Sequence, residues 1–167
     1  KKTNSIILNY DESSYDLFKW YQQLVAESLG KSSKGVLPII SDMPKDNHSL
    51  MQLYLDGNKN CFFTFFDVID ANSPKIKNKI LDNFKYLKGH SLHSIKLAQK
   101  QATQIVFKTK KIPFRSFEIL KRNEETLGEL FTFFMLETIL LGKMMKINPF
   151  DQPAVELIKK ETKKILV

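Results

Sequence analysis

One cysteine, two arginines and three histidines are a thin supply of the side chains that bind metals, cross-link chains and read nucleic-acid bases. The lone Cys61 excludes an intramolecular disulfide and any cysteine-based metal cluster. His48, His90 and His93 have no supporting set of ligands, which argues against a zinc site. Arg115 and Arg122 are too few for bidentate base readout. The net charge of +8 therefore comes from lysines, and these are scattered apart from Lys108, Lys110 and Lys111 and the cluster between Lys159 and Lys164. That distribution suits solubility and argues against nucleic acid as a partner. No N-terminal stretch has the apolar core of a signal peptide. The most apolar run, 127–145, is broken by Glu129, Thr132, Glu137 and Thr138, so it reads as a buried helix and not as a membrane span. The expectation is a cytoplasmic chain of one domain, with no membrane and no nucleic-acid partner.

What is present is a core-former's composition. Apolar residues make up 43% of the chain and include thirteen phenylalanines, which excludes a disordered polymer. Ser5 to Asn9 reads as a buried strand, and Asp11 to Leu29 carries apolar residues at helical spacing up to Gly30, a candidate C-cap. Gly35 to Ile40 reads as a second strand, in which Pro38 prefers the strand's start or an edge. A short helix from about His48 to Leu55 is closed by Asp56 and Gly57. Cys61 to Val68 is nearly continuous in apolar residues, as in a strand covered on both faces. Residues 75–87 are a weaker helix or a loop. Ser91 to Phe107 reads as a helix with Leu92, Ile95, Ala102 and Val106 turned inward. Ile112 to Ile119 alternates as a fourth strand, Asn123 is placed to cap the long apolar helix to about Met145, and Asp151 to cap a last helix with Pro153 in its first turn. Strands alternating with helices predict an α/β domain, a three-layer α-β-α sandwich around a mostly parallel sheet.

The last helix places Gln152 and Lys159 seven residues apart, nearly two turns, so both project from one face. Spacing does not single out Lys159, because Lys163 continues the same stripe; a solvated basic helix accounts for it equally. Gln23 and Glu27 are likewise i, i+4 partners on one helical face, which a solvent-facing polar pair would also satisfy.

Gly142, followed eight residues later by Phe150-Asp151-Gln152 and then by Ala154-Val155-Glu156 and Lys159, resembles the C-terminal signature of glucose-6-phosphate isomerases. Two further stretches agree in order. Trp20 to Lys31 is similar to the family's segment bearing the catalytic glutamate, and Asp46 to Gly57 to its bacterial histidine segment. The resemblance implies a sugar-isomerase (SIS) fold, and residues 1–167 as the C-terminal SIS domain of a longer isomerase whose N-terminal SIS domain is absent. It implies Glu27 as catalytic base, His48 and Lys159 as the ring-opening pair, and Gln23 and Gln152 as substrate-binding neighbours. It also implies a homodimer in the parent enzyme, with His48 reaching the neighbouring subunit's site.

These residue types suit the chemistry. Converting glucose 6-phosphate to fructose 6-phosphate requires ring opening, for which a histidine and a lysine serve as proton donor and acceptor. A carboxylate then carries a proton between C2 and C1 through a cis-enediol or enediolate, with no metal or organic cofactor. The family's Gly-Gly-Arg segment and its Ser/Thr-rich phosphate loop have no counterpart in this sequence, so the expectation is half of a site and an isolated fragment that is inactive or nearly so. Glu137, in a helix apolar almost all round, is expected to find a structural partner. Two alternatives stand beside this reading: a non-catalytic sugar-phosphate-binding SIS module, and the isomerase part of a fusion with a transaldolase.

Overall fold

The computed structural model describes residues 2–57, 59–69, 73–76 and 82–167. Four strands, β1 (Asn4–Asn9), β2 (Leu37–Asp42), β3 (Cys61–Val68) and β4 (Phe114–Ile119), form one sheet in the order β2-β1-β3-β4, and every pairing is parallel. Pro38 sits in β2, at the sheet edge where a missing N–H is tolerated. Among the described residues five α-helices accompany the sheet: α1 (Tyr15–Leu29), α2 (Met51–Asp56), α3 (Leu92–Thr109), α4 (Glu124–Met145) and α5 (Pro153–Leu166). The three-layer α/β architecture expected from the alternation is what forms. Of the weak helix expected over 75–87, a 3-10 turn forms at Asp82–Leu87 and residues 77–81 lie outside the described ones.

The two faces of the sheet build separate cores. On one side Ile7, Phe66 and Val68 meet Phe18, Tyr21 and Val25 of α1 and Leu130 and Phe134 of α4. On the other, Ile6, Leu8, Phe63 and Phe65 meet Tyr54 of α2 and Phe107 of α3. β3 is buried on both sides, which explains why its sequence has no polar alternation. Edge-to-face ring pairs such as Phe18–Phe66 at 4.7 Å and Phe63–Phe107 at 4.9 Å fill the layers.

Two sequence expectations need correction. α3 does not turn Leu92, Ala102 and Val106 inward: all three are exposed, and the buried positions are Lys100 and Phe107. Lys100 is drawn inside by the fully buried Asp67 of β3, at 3.7 Å, and by Glu118 of β4, at 3.0 Å. An ion pair across layers thus overrides the apolar pattern. α4 is not buried all round either. It covers Leu130, Phe134, Thr138 and Gly142 and leaves Leu136, Leu140 and Met144 exposed. Glu137 does find a structural partner: Arg115 of β4 binds both its oxygens, with Nη2 2.9 Å from Oε2, while the guanidinium lies against Phe62, Phe117 and Phe133. Among the described residues no helix is long and apolar enough to cross a membrane.

Single-face burial of α4 is testable. Phe134→Ala should cost about 3–5 kcal/mol in urea unfolding of this chain, whereas Leu140→Ala should stay within about 0.5 kcal/mol of the parent.

Candidate functional site

In a parallel sheet each crossover helix runs back against the strands. α1 starts beyond the carboxyl end of β1 and finishes at the amino edge, where β2 begins. Gly30 ends it, its N–H bonding to the Ala26 carbonyl; a Cβ at Gly30 would lie 2.7 Å from that oxygen. Glu27 therefore stands on the last turn of α1, at the amino edge.

The α4–α5 loop is folded back onto this turn by several small devices. Lys146 takes a left-handed conformation at φ 55°, and Ile147 N–H returns to the Gly142 carbonyl at 2.9 Å. Gly142 leaves room for the loop, since a Cβ there would stand 3.3 Å from Pro149 Cβ. Lys34 Nζ donates to the Met145 carbonyl at the end of α4. Lys31 Nζ donates to the Asn148 carbonyl and pairs with Asp151 Oδ1, both at 2.7 Å. Asn148 Nδ2 donates to Asp151 Oδ2, and its Oδ1 accepts from Phe150 N–H.

The result is a carboxylate held from both sides. Gln23 Nε2 donates to Glu27 Oε1 at 3.0 Å, and Gln152 Nε2, from 125 residues further along the chain, donates to Oε2 at 2.7 Å. Glu27, Lys31, Asp151, Gln152 and Val155 line a cleft of about 560 Å³ open to solvent. A carboxylate oriented by two amide donors on a cleft wall is equipped to accept a proton from a bound carbon acid. A larger hollow, about 660 Å³, lies between α1 and α4 at the carboxyl edge, but its walls are mostly apolar and none of the five candidate residues lines it.

Three of those five residues, Gln23, Glu27 and Gln152, come together. The other two do not join them. Lys159 lies on the exposed α5, paired with Glu156 at 2.7 Å. His48 is exposed in the turn after β2, at the carboxyl edge of the sheet. The six residues of β2 separate it from the level of Glu27 by about 20 Å. Asp151 does not cap α5 as its position suggested; Gln152 occupies the cap position and the Asp151 carboxylate is engaged by Lys31. Sequence reasoning passed over the Lys31–Asp151 contact, because nothing local to either residue marks partners 120 positions apart.

No family model matches the chain. It is 38% identical to glucose-6-phosphate isomerase of Mycoplasmopsis pulmonis, over 96% of this chain and 39% of that protein. It is 36% identical to a probable glucose-6-phosphate isomerase of Methanococcus maripaludis, over 95% of this chain and 36% of the relative. The chain thus spans less than two-fifths of the length of these curated relatives. Among solved structures, hypothetical protein TT0462 of Thermus thermophilus superposes with a TM-score of 0.91 at 27% identity, covering 99% of this chain and 41% of that one. A glucose-6-phosphate isomerase from Chlamydia trachomatis superposes at 0.79 and 17% identity, covering 99% and 35%, a likeness of fold.

Two measurements probe the loop. Gly142→Val should push Pro149 away and shift the Gln152 side-chain amide resonances, at a stability cost of about 1–3 kcal/mol. The hydrogen bond from Lys31, with its charge and that from Asn148, holds the Asp151 carboxyl below the usual carboxylate range. Its folded-state pKa being depressed, the contact is fully present above the unfolded value near ~3.9 and is lost as pH falls through the lower folded one. An NMR titration of Asp151 should find its midpoint below that of a free aspartate.

Proposed function

We propose that this chain, homologous along nearly its whole length to one segment of glucose-6-phosphate isomerases, is the C-terminal SIS domain of such an isomerase and supplies half of its active site. The observation that carries the reading is the Glu27 carboxylate, oriented by Gln23 and Gln152 on the wall of an open cleft. The substrates are glucose 6-phosphate and fructose 6-phosphate. With the sugar in its open form, Glu27 takes the proton from the carbon beside the carbonyl. The electron pair left behind makes the enediolate; a proton moves from one of its oxygens to the other, and Glu27 returns a proton, part of it exchanged with solvent, to the neighbouring carbon. The residues named need no metal and no organic cofactor for this.

Ring opening is assigned to Lys159 and His48. Glu27 and His48 stand at opposite edges of the sheet, about 20 Å apart in level, a separation that supports the reading, implied by the resemblance, in which His48 serves the Glu27 site of a second subunit. The same reading takes the parent enzyme as a homodimer. The phosphate-binding loop and the cation that steadies the enediolate belong to an N-terminal SIS domain. The exposed apolar side chains of α5, among them Leu157, Ile158 and Leu166, suit cover by that domain. The isolated chain is then close to inactive.

The test uses the full-length protein with fructose 6-phosphate in deuterated water. Label should enter at the exchanging carbon, and Glu27→Gln should lower turnover by about 10²-fold or more while substrate binding persists. Normal exchange in Glu27→Gln removes Glu27 as the base. A full-length protein that binds the sugar phosphate but never exchanges label is a binding module.

A further inference from the structure

We propose that Lys31 and Asp151 are a positioning pair that holds Gln152 in register on Glu27; this rests on the reading of Glu27 as the base. Neither touches the reacting atoms in that scheme. The argument starts from where the Lys31 ammonium lies. Its side chain is only 9% exposed, although a lysine two residues beyond a helix end has every freedom to extend into water. It turns inward and spends two of its three donors on the α4–α5 loop, at the Asn148 carbonyl and Asp151 Oδ1.

Asp151 in turn is held at both oxygens. Lys31 takes Oδ1 and Asn148 Nδ2 takes Oδ2, at 3.1 Å, while Asn148 is itself tied to Phe150 N–H. A side chain bound at both oxygens fixes the backbone that bears it, and the next residue is Gln152. Two consecutive loop residues are thus gripped by two residues at the end of α1: Asp151 by Lys31, Gln152 by Glu27. The second grip is the one that catalysis disturbs, since Glu27 changes protonation state and Gln152 turns to substrate. The first grip has no such duty and keeps the loop in place while the second opens.

The pair also sets the origin of α5. That helix buries none of its residues, so its direction depends on how its first turn is anchored. Lys159 lies six residues beyond Pro153, about 9 Å along the axis. A small error at Asp151 is carried to Lys159, and misplacement by 1 Å at such distances costs about 10²-fold in rate.

The experiment compares Lys31→Met, Lys31→Arg, Asp151→Ala and the K31M/D151A combination in the full-length protein, with Glu27→Gln alongside. Steady-state turnover of fructose 6-phosphate and thermal unfolding are both followed. Lys31→Met and Asp151→Ala should each lower kcat/KM by about 10- to 100-fold. The combination should be no worse than the poorer single variant, because both remove one contact. Lys31→Arg should recover most of the activity, since a guanidinium can serve both acceptors. The unfolding midpoints should stay close to the parent's, which a purely structural role would not allow alongside the lost activity. The pair is overturned if either single variant turns over normally, if the losses multiply in the combination, or if activity falls only in step with thermal stability. Glu27→Gln separates this outcome from failure of the larger reading. An inactive Glu27→Gln with a normal Lys31→Met removes the positioning pair alone, whereas an active Glu27→Gln removes the base assignment itself.

Discussion

The hydrogen bond from Gln152 to Glu27 is the point on which the candidate site turns. It joins the last turn of the first helix to the residue before the last one, and almost every local oddity near it serves that meeting. Gly30 ends α1 before it overruns the amino edge. Gly142 and the left-handed Lys146 let the chain reverse after α4, and Lys31 and Lys34 draw the reversed loop in. The spacing between Gly142 and Gln152 thus has a mechanical meaning: one residue gives the loop room and the other is what the loop delivers.

The sheet decides what cannot meet. Parallel strands send every helix back to the amino edge and every following turn to the carboxyl edge. Glu27 ends a helix and His48 begins a turn, so one chain holds them on opposite edges. Lys159 lies on a helix that buries none of its residues, so its direction depends on how the first turn of that helix is anchored.

Much of this was legible in the chain. The bounds of β3 follow from its apolar run, because a strand covered on both faces has no need of polar alternation. Asn123 announces the start of α4 and accepts the Thr126 N–H as an N-cap should. Gln23 and Glu27 pair across one helical turn, as their spacing implied. What was hidden depends on charges meeting across layers. Lys100 is inside because Asp67 and Glu118 wait for it on β3 and β4, so the inward face of α3 defied its apolar pattern. Asp151 looked like a helix cap and is a loop anchor, because Lys31 lies 120 residues away.

The sequence by itself determined the order of strands and helices, the two-sided burial of the central strand and the pairing of Gln23 with Glu27 across one helical turn. Those follow from local periodicity and side-chain chemistry, which a single segment carries within itself. The tertiary structure alone decided that Gln23, Glu27 and Gln152 converge, that Lys31 meets Asp151 beside them, and that His48 and Lys159 stand apart. Contacts between distant segments arise only when the parallel sheet assigns each helix end to one edge or the other, and no local pattern encodes that assignment.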